Sequence, residues 1–144
     1  MKRNLLIAFL FVIGSVSGQN LTCIDFHEGT FIAIDEANNS TYRITREGDL
    51  HIEKGVSIPA AVLKRNPDAM KPSHSRVTWI DECTYVIVPD FELGPDTRKR
   101  RFLERQGGIT VRIDSIRGRC FYWTAMLDLE VGKEVYSDVM CKEE

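Results

Sequence analysis

Apolar and polar residues alternate with a period of two along most of the chain, which is the pattern of strands that bury one face. Gly29–Asp35 (GTFIAID) predicts the first strand, and Glu36–Ser40 is turn-forming. Thr41–Arg46 predicts the second, with Tyr42 and Ile44 on one face, and Glu47-Gly48-Asp49 predicts a tight reversal. Leu50–Lys54 follows, with Leu50 and Ile52 facing opposite to His51 and Glu53. Ser75–Asp81, with Val77 and Trp79 sharing a face, bends at Asp81-Glu82 into Cys83–Pro89. Gly108–Ile116 alternates Ile109, Val111 and Ile113 against Thr110, Arg112 and Asp114. Arg117-Gly118 turns it into Arg119–Asp128, where Phe121, Trp123, Ala125 and Leu127 share a face. Val131-Gly132 turns again into Glu134–Cys141. The pattern is all-β, with about eight antiparallel strands.

Two longer connections interrupt it. Gly55–His74 is polar, carries Pro59, Pro67 and Pro72, and has room for a short helix at Ala60–Arg65. Asp90–Gly107 holds Pro95, acid early, bases late and Gly-Gly afterwards, which fits a short helix and equally a flexible loop.

Residues 1–18 stand apart. Lys2 and Arg3 precede an apolar run from Leu5 to Ile13, and small residues close the segment, which is the order of a secretory signal peptide cleaved after Gly18. The apolar run falls well short of the ~20 residues that span a bilayer, so a secreted or periplasmic protein without a membrane span is expected. Removing eighteen of the 144 residues leaves a single β domain over 19–144. Its balance is 17 bases against 21 acids. A general polyanion binder carries the opposite excess, so no nucleic acid is expected as a partner.

Cys23, Cys83, Cys120 and Cys141 are an even set in an exported chain, without C-x-x-C spacing, and read as two disulfides. In the last hairpin a turn near residues 130 and 131 sets Cys120 opposite Cys141, within bridging distance. Cys23 then pairs with Cys83.

Three patches carry a resemblance. Cys23–Phe31 has the form C-x-x-F-x-x-G-x-F. Ile44-Thr45-Arg46 with His51-Ile52-Glu53 is the second. Val77–Tyr85 has the form V-x-W-x-x-x-C-x-Y. Together they resemble a group of small secreted bacterial proteins of uncharacterised function, similar to lipocalin-like or calycin-like β-barrels. Similar chains sometimes carry a DNA topoisomerase label, for which this sequence offers neither an ATP site nor a strand-cleaving tyrosine context. Lipocalins typically open with G-x-W, where this chain has Gly29-Thr30-Phe31. The resemblance implies an up-and-down barrel, with a two-sheet sandwich as the alternative. In a barrel, Phe26, Phe31, Trp79 and Tyr85 are suited to sealing one end, and Gly29 to bending the chain into its first strand.

Candidate chemistry is sparse. Asp49, His51 and Glu53 at i, i+2 and i+4 share a strand face and could hold a metal, or could form a solvated face opposite Leu50 and Ile52. Asp35–Ser40 clusters oxygens without EF-hand spacing and reads as a polar hairpin turn. Arg98–Arg101 is a run of four bases, a polyanion contact or a solvated face. There is no G-x-S-x-G elbow, and His27, His51 and His74 have no Ser or Cys neighbour in sequence. A non-enzyme without cofactor or metal is expected. Its partner would be a small, partly apolar ligand held in the barrel by Phe31, Tyr42, Trp79, Tyr85, Phe121 and Trp123. The alternative is a protein-interaction module, such as an inhibitor of an extracellular hydrolase, acting through the two long connections. Trp79, Phe121 and Trp123 are also bulky enough to fill a barrel solid. A monomer is expected.

Overall fold

The computed structural model describes residues 20–144. The signal-peptide reading of residues 1–18 lies outside the described residues. Eight antiparallel strands close into a barrel in sequence order: β1 Gly29–Asp35, β2 Ser40–Glu47, β3 Leu50–Ser57, β4 Ser73–Trp79, β5 Thr84–Pro89, β6 Ile109–Arg117, β7 Cys120–Leu129 and β8 Gly132–Lys142. Pairing of Phe31–Ala33 with Met140–Lys142 joins β1 to β8 and completes the ring. Ring closure pairs each strand with two neighbours, where a two-sheet sandwich would leave edge strands open. Two short helices lie in the long connections, α1 (Ala60–Arg65) and α2 (Arg98–Arg105). A 3₁₀ turn at Cys23–Phe26 precedes β1. Among the described residues no helix is long and apolar enough to cross a membrane.

The predicted strands are present, with small differences. β3 runs on to Ser57 and β4 starts at Ser73, so the connection between them is shorter than Gly55–His74. A bulge between Ile113 and Ser115 shifts the parity of β6, so that Ile113 and Ile116 both face inward. For Asp90–Gly107 the structure takes the helix. Thr97 caps it by accepting the backbone N–H of Arg100 at 3.3 Å.

The ends of the barrel differ. Strand directions put the reversals at Gly48-Asp49, Ile80–Cys83 and Gly118-Arg119 at one end, with the 3₁₀ turn. That end is closed. Phe26 enters it as a plug and is fully buried, with Phe31 and Phe121, whose rings lie 6.2 and 4.9 Å from it. Gly29 makes the entry possible at φ +128°, a backbone region that side chains with a Cβ rarely adopt. The other end carries both long connections and the Glu130-Val131 turn. There Gly55 is needed for close approach, because a Cβ would sit 2.4 Å from the Ala69 carbonyl oxygen of the loop folded against β3.

Both disulfides clamp the closed end. Cys120 pairs with Cys141 in the register read from the hairpin, and Cys23 bonds Cys83, tying the plug to the β4–β5 turn. The bonds close loops of 21 and 60 residues. Loop-closure entropy makes the longer one worth about 4 kcal/mol and the shorter about 3 kcal/mol. Denaturant unfolding should therefore show a larger loss for the Cys23→Ser/Cys83→Ser double variant than for Cys120→Ser/Cys141→Ser. The reverse order would place the dominant stabilisation in the hairpin.

Candidate functional site

The interior of the barrel has two zones. The lower zone is built around Arg46 of β2, which is only 3% exposed. Among the described residues no carboxylate lies within ion-pair distance of it. Its charge is instead surrounded by rings: the guanidinium carbon lies 4.5 Å from the Tyr85 centroid, 5.3 Å from Phe31, 5.6 Å from Phe121 and 5.9 Å from Trp79. Cation–π attraction in so dry a setting is worth up to about 2 kcal/mol. The N–H groups are also used. Nη1 donates to the Phe26 carbonyl at 3.0 Å, Nη2 to the Tyr85 hydroxyl, and Nε to His51 Nδ1 at 3.4 Å. Arg46 thus joins the plug, β3 and β5 through one side chain.

His51 is the roof of this zone. It is 5% exposed, and its pKa is lowered from 6.5 to about 3, first by burial and then by the adjacent Arg46 charge. The ring is neutral, and accepting at Nδ1 leaves its proton on Nε2. A ring this reluctant to take a proton is a poor general base at neutral pH. Ser75 stands opposite His51 across β3 and β4, a neighbour that the sequence does not reveal.

Above His51 the barrel is hollow. A cavity of about 870 Å³ opens toward the end that carries the long connections. An adjoining one of about 750 Å³ runs under the 66–73 segment and shares Tyr42, His51, Glu53, Ile87, Lys99, Leu103 and Ile109 with it. Ala33, Ile87, Ile109, Ala125 and Leu127 give the larger cavity an apolar wall, and Tyr42 and Trp123 add aromatic surface. Tyr136 stacks obliquely on Trp123 at 5.6 Å, and its hydroxyl donates to Asp138 at 2.9 Å. Burial and the neighbouring Asp138 push its pKa up to about 12. Glu53 keeps part of its surface open, but to the cavity rather than to bulk water, and this enclosure raises its pKa, opposed by the charge of Lys99.

Helix α2 roofs part of the mouth. Lys99 and Leu103, one turn apart, face the cavity. Arg100 points into the rim, where Nη1 donates to Ser73 Oγ at 2.7 Å and Nη2 to the carbonyls of His74 and Asp90 at 2.6 and 2.8 Å. Arg101 turns back to pair with Asp96. The run Arg98–Arg101 is therefore no continuous solvated face, because a helix turns ~100° per residue and aims successive bases apart.

Of the six aromatic residues assigned to ligand contact, Tyr42, Tyr85 and Trp123 line the cavity. Phe31, Trp79 and Phe121 pack around Arg46 in the closed end. Trp79 also stacks on His27 at 3.5 Å. The proposed face of Asp49, His51 and Glu53 is split. Asp49 holds Arg76 at 3.0 Å on the outside, while His51 and Glu53 face the interior, so neither the shared metal face nor the solvated face exists. Asp35–Ser40 is a polar hairpin turn held by Asp35, which accepts Ala37 N–H at 3.0 Å and the Asn38 side-chain amide at 2.6 Å. Asp35, Glu53, Lys99, Glu134 and Asp138 of the cavity wall were not among the residues singled out for ligand binding. Alternation could have found three of them, since Glu134 and Asp138 are opposite Leu127 and Trp123, and Asp35 is in phase with Phe31. No family model, curated protein or solved structure matches the chain.

Two outcomes follow from the Arg46–His51 pair. Arg46→Met removes the donors of Phe26 O and the Tyr85 hydroxyl, and should cost about 2–4 kcal/mol in urea unfolding; an unchanged midpoint would show the cation to be dispensable. For His51 the folded pKa lies below the unfolded one, so its contribution is complete above pH 6.5 and is lost as pH falls toward 3. Between pH 7 and pH 5 the loss should be about 2 kcal/mol relative to His51→Asn, which keeps an acceptor for Arg46 but does not titrate. Parallel stability curves for the two proteins would refute it.

Proposed function

We propose that the protein is a non-catalytic binder of a small, partly apolar molecule held inside the barrel. The observation that carries this reading is the cavity of about 870 Å³ above a solidly packed floor. Its volume lies in the range of small-molecule sites. A dense lower half gives the cavity a fixed base, and the apolar and aromatic wall supplies contact area without side chains that must be ordered on binding. The closed, up-and-down barrel with one open mouth supports the likeness to lipocalin-like proteins. Two disulfides suit an oxidising compartment, which supports the reading of a secreted or periplasmic binder.

A second reading has its own support. Val56 at the end of β3 and Met70, Leu93 and Phe102 on the two long connections expose apolar side chains. Under that reading this end of the barrel contacts an extracellular protein, and replacing all four with serine abolishes the contact while leaving ligand uptake intact.

Native mass spectrometry of protein purified from its own source should show a bound small molecule that dissociates on unfolding. Ala125→Trp, which fills the cavity from β7, should abolish that adduct without lowering the melting temperature. An adduct of equal abundance on the filled variant would place the ligand elsewhere.

A further inference from the structure

The seam that closes the ring is short. Only Phe31–Ala33 of β1 pair with Met140–Lys142 of β8. Two residues further along that register Asp35 would stand opposite Asp138, and like charges directly opposed are destabilising. The strands part before that point. Above Met140, β8 has β7 on one side and, among the described residues, no strand on the other.

Hydrogen bonding fixes which groups this edge presents. The Lys142 N–H donates to the Arg119 carbonyl just before β7, and the Glu143 N–H to the Thr30 carbonyl of β1, each at 2.8 Å. Even-numbered residues of β8 therefore bond to β7, and odd-numbered ones face the β1 side. The register with β7 continues to Leu129 and Gly132 without a bulge, so the alternation holds to the tip. The Val139 N–H is taken by the Asp138 carboxylate at 2.7 Å. Lys133, Val135 and Ser137 point their N–H and C=O groups off the edge and, among the described residues, have no backbone partner for them.

Soluble proteins blunt such edges with proline, bulges or charge. Here there is neither proline nor bulge, and the one cation, Lys133, turns back to Asp128 at 3.4 Å. Val131 and Val135 are 95% and 63% exposed, and alternation puts both in phase with Val139 on one face.

We propose that this edge is a dimer interface, on which β8 of a second copy of the chain pairs antiparallel about a two-fold axis through Val135. The edge is self-complementary in that register. Val135 meets itself, Lys133 meets Ser137, Glu134 meets Tyr136 and Val131 meets Val139, so apolar pairs with apolar and no like charges are opposed. Moving the axis by one residue opposes Glu134 to itself in one direction and to Asp138 in the other. The outward groups of Lys133, Val135 and Ser137 then bond to those of Ser137, Val135 and Lys133 on the other copy. The added strand also walls the side of the cavity that Val135 and Tyr136 border. The interface itself does not depend on what the cavity holds.

Sedimentation equilibrium of the oxidised protein over a series of concentrations should give a monomer–dimer equilibrium. Val135→Lys sets a cation opposite itself and should weaken dimerisation about fivefold or more. Ser137→Glu sets a carboxylate opposite Lys133 on both sides of the axis and should tighten it about threefold or more. Both positions are exposed, so neither substitution disturbs the core. Amide exchange at Lys133, Val135 and Ser137 should slow as concentration rises, while Glu134 and Tyr136, already bonded to β7, stay unchanged. A monomer at concentrations up to about 1 mM overturns the second copy as occupant and leaves the edge to a strand of another protein. A dimer indifferent to both substitutions overturns β8 as its interface.

Discussion

A guanidinium enclosed by aromatic rings, with no carboxylate beside it, organises this barrel. Taking such a charge out of water costs several kcal/mol unless its surroundings replace the lost hydration. Here the replacement is distributed: four rings, one backbone carbonyl, one hydroxyl and one imidazole nitrogen. Because those groups come from the plug, β1, β3, β4, β5 and β7, the charge is satisfied only when all of them are in place. The neutrality of His51 has the same origin: burial disfavours its charged form first, and the adjacent Arg46 charge adds to that.

The same arrangement divides the molecule by mechanical role. At the closed end, both disulfides, the plug and the Arg46 cage act within a few residues of one another. At the open end, stabilising contacts are of another kind. Arg100 moors α2 to the rim by hydrogen bonds, and Asp90 accepts Arg76 Nε at 2.6 Å and two backbone N–H groups in the following turn. Polar moorings of this kind open more readily than a cross-linked aromatic core. The mouth can therefore adjust while the floor stays fixed, which suits a cavity that admits a molecule.

The cavity also explains why its charges are tolerable. Carboxylates aimed into a packed core would be prohibitive. Asp35, Glu53, Glu134 and Asp138 face a space that connects to solvent, and enclosure shows in the raised pKa of Glu53 rather than in a lost fold. Two populations of inward-facing residues result: aromatic and aliphatic below His51, mixed above it.

Strand positions, turns and the Cys120–Cys141 pairing could be read from the chain because each depends on near neighbours. Alternation needs only the pleat, Gly48-Asp49 and Gly118-Arg119 are local reversals, and hairpin register follows from counting outward from a turn. α1 was equally local, matching Ala60–Arg65. Apolarity at Leu50 and Ile52 points to the inside, yet the structure turns His51 and Glu53 inward. Register across the Gly48-Asp49 turn sets His51 opposite Arg46 and Glu53 opposite Ile44, so those two share the interior face. The separation of Arg98, Lys99, Arg100 and Arg101 into different surroundings depended on a helix whose formation the sequence left open. Whether the barrel would be hollow or filled was beyond any local pattern. The same aromatic side chains can plug an end or line a cavity, and which they do depends on how far each strand runs past its partners once the ring has closed. Covalent framework and strand order are properties of neighbouring residues; an interior void is a property of the whole closed sheet.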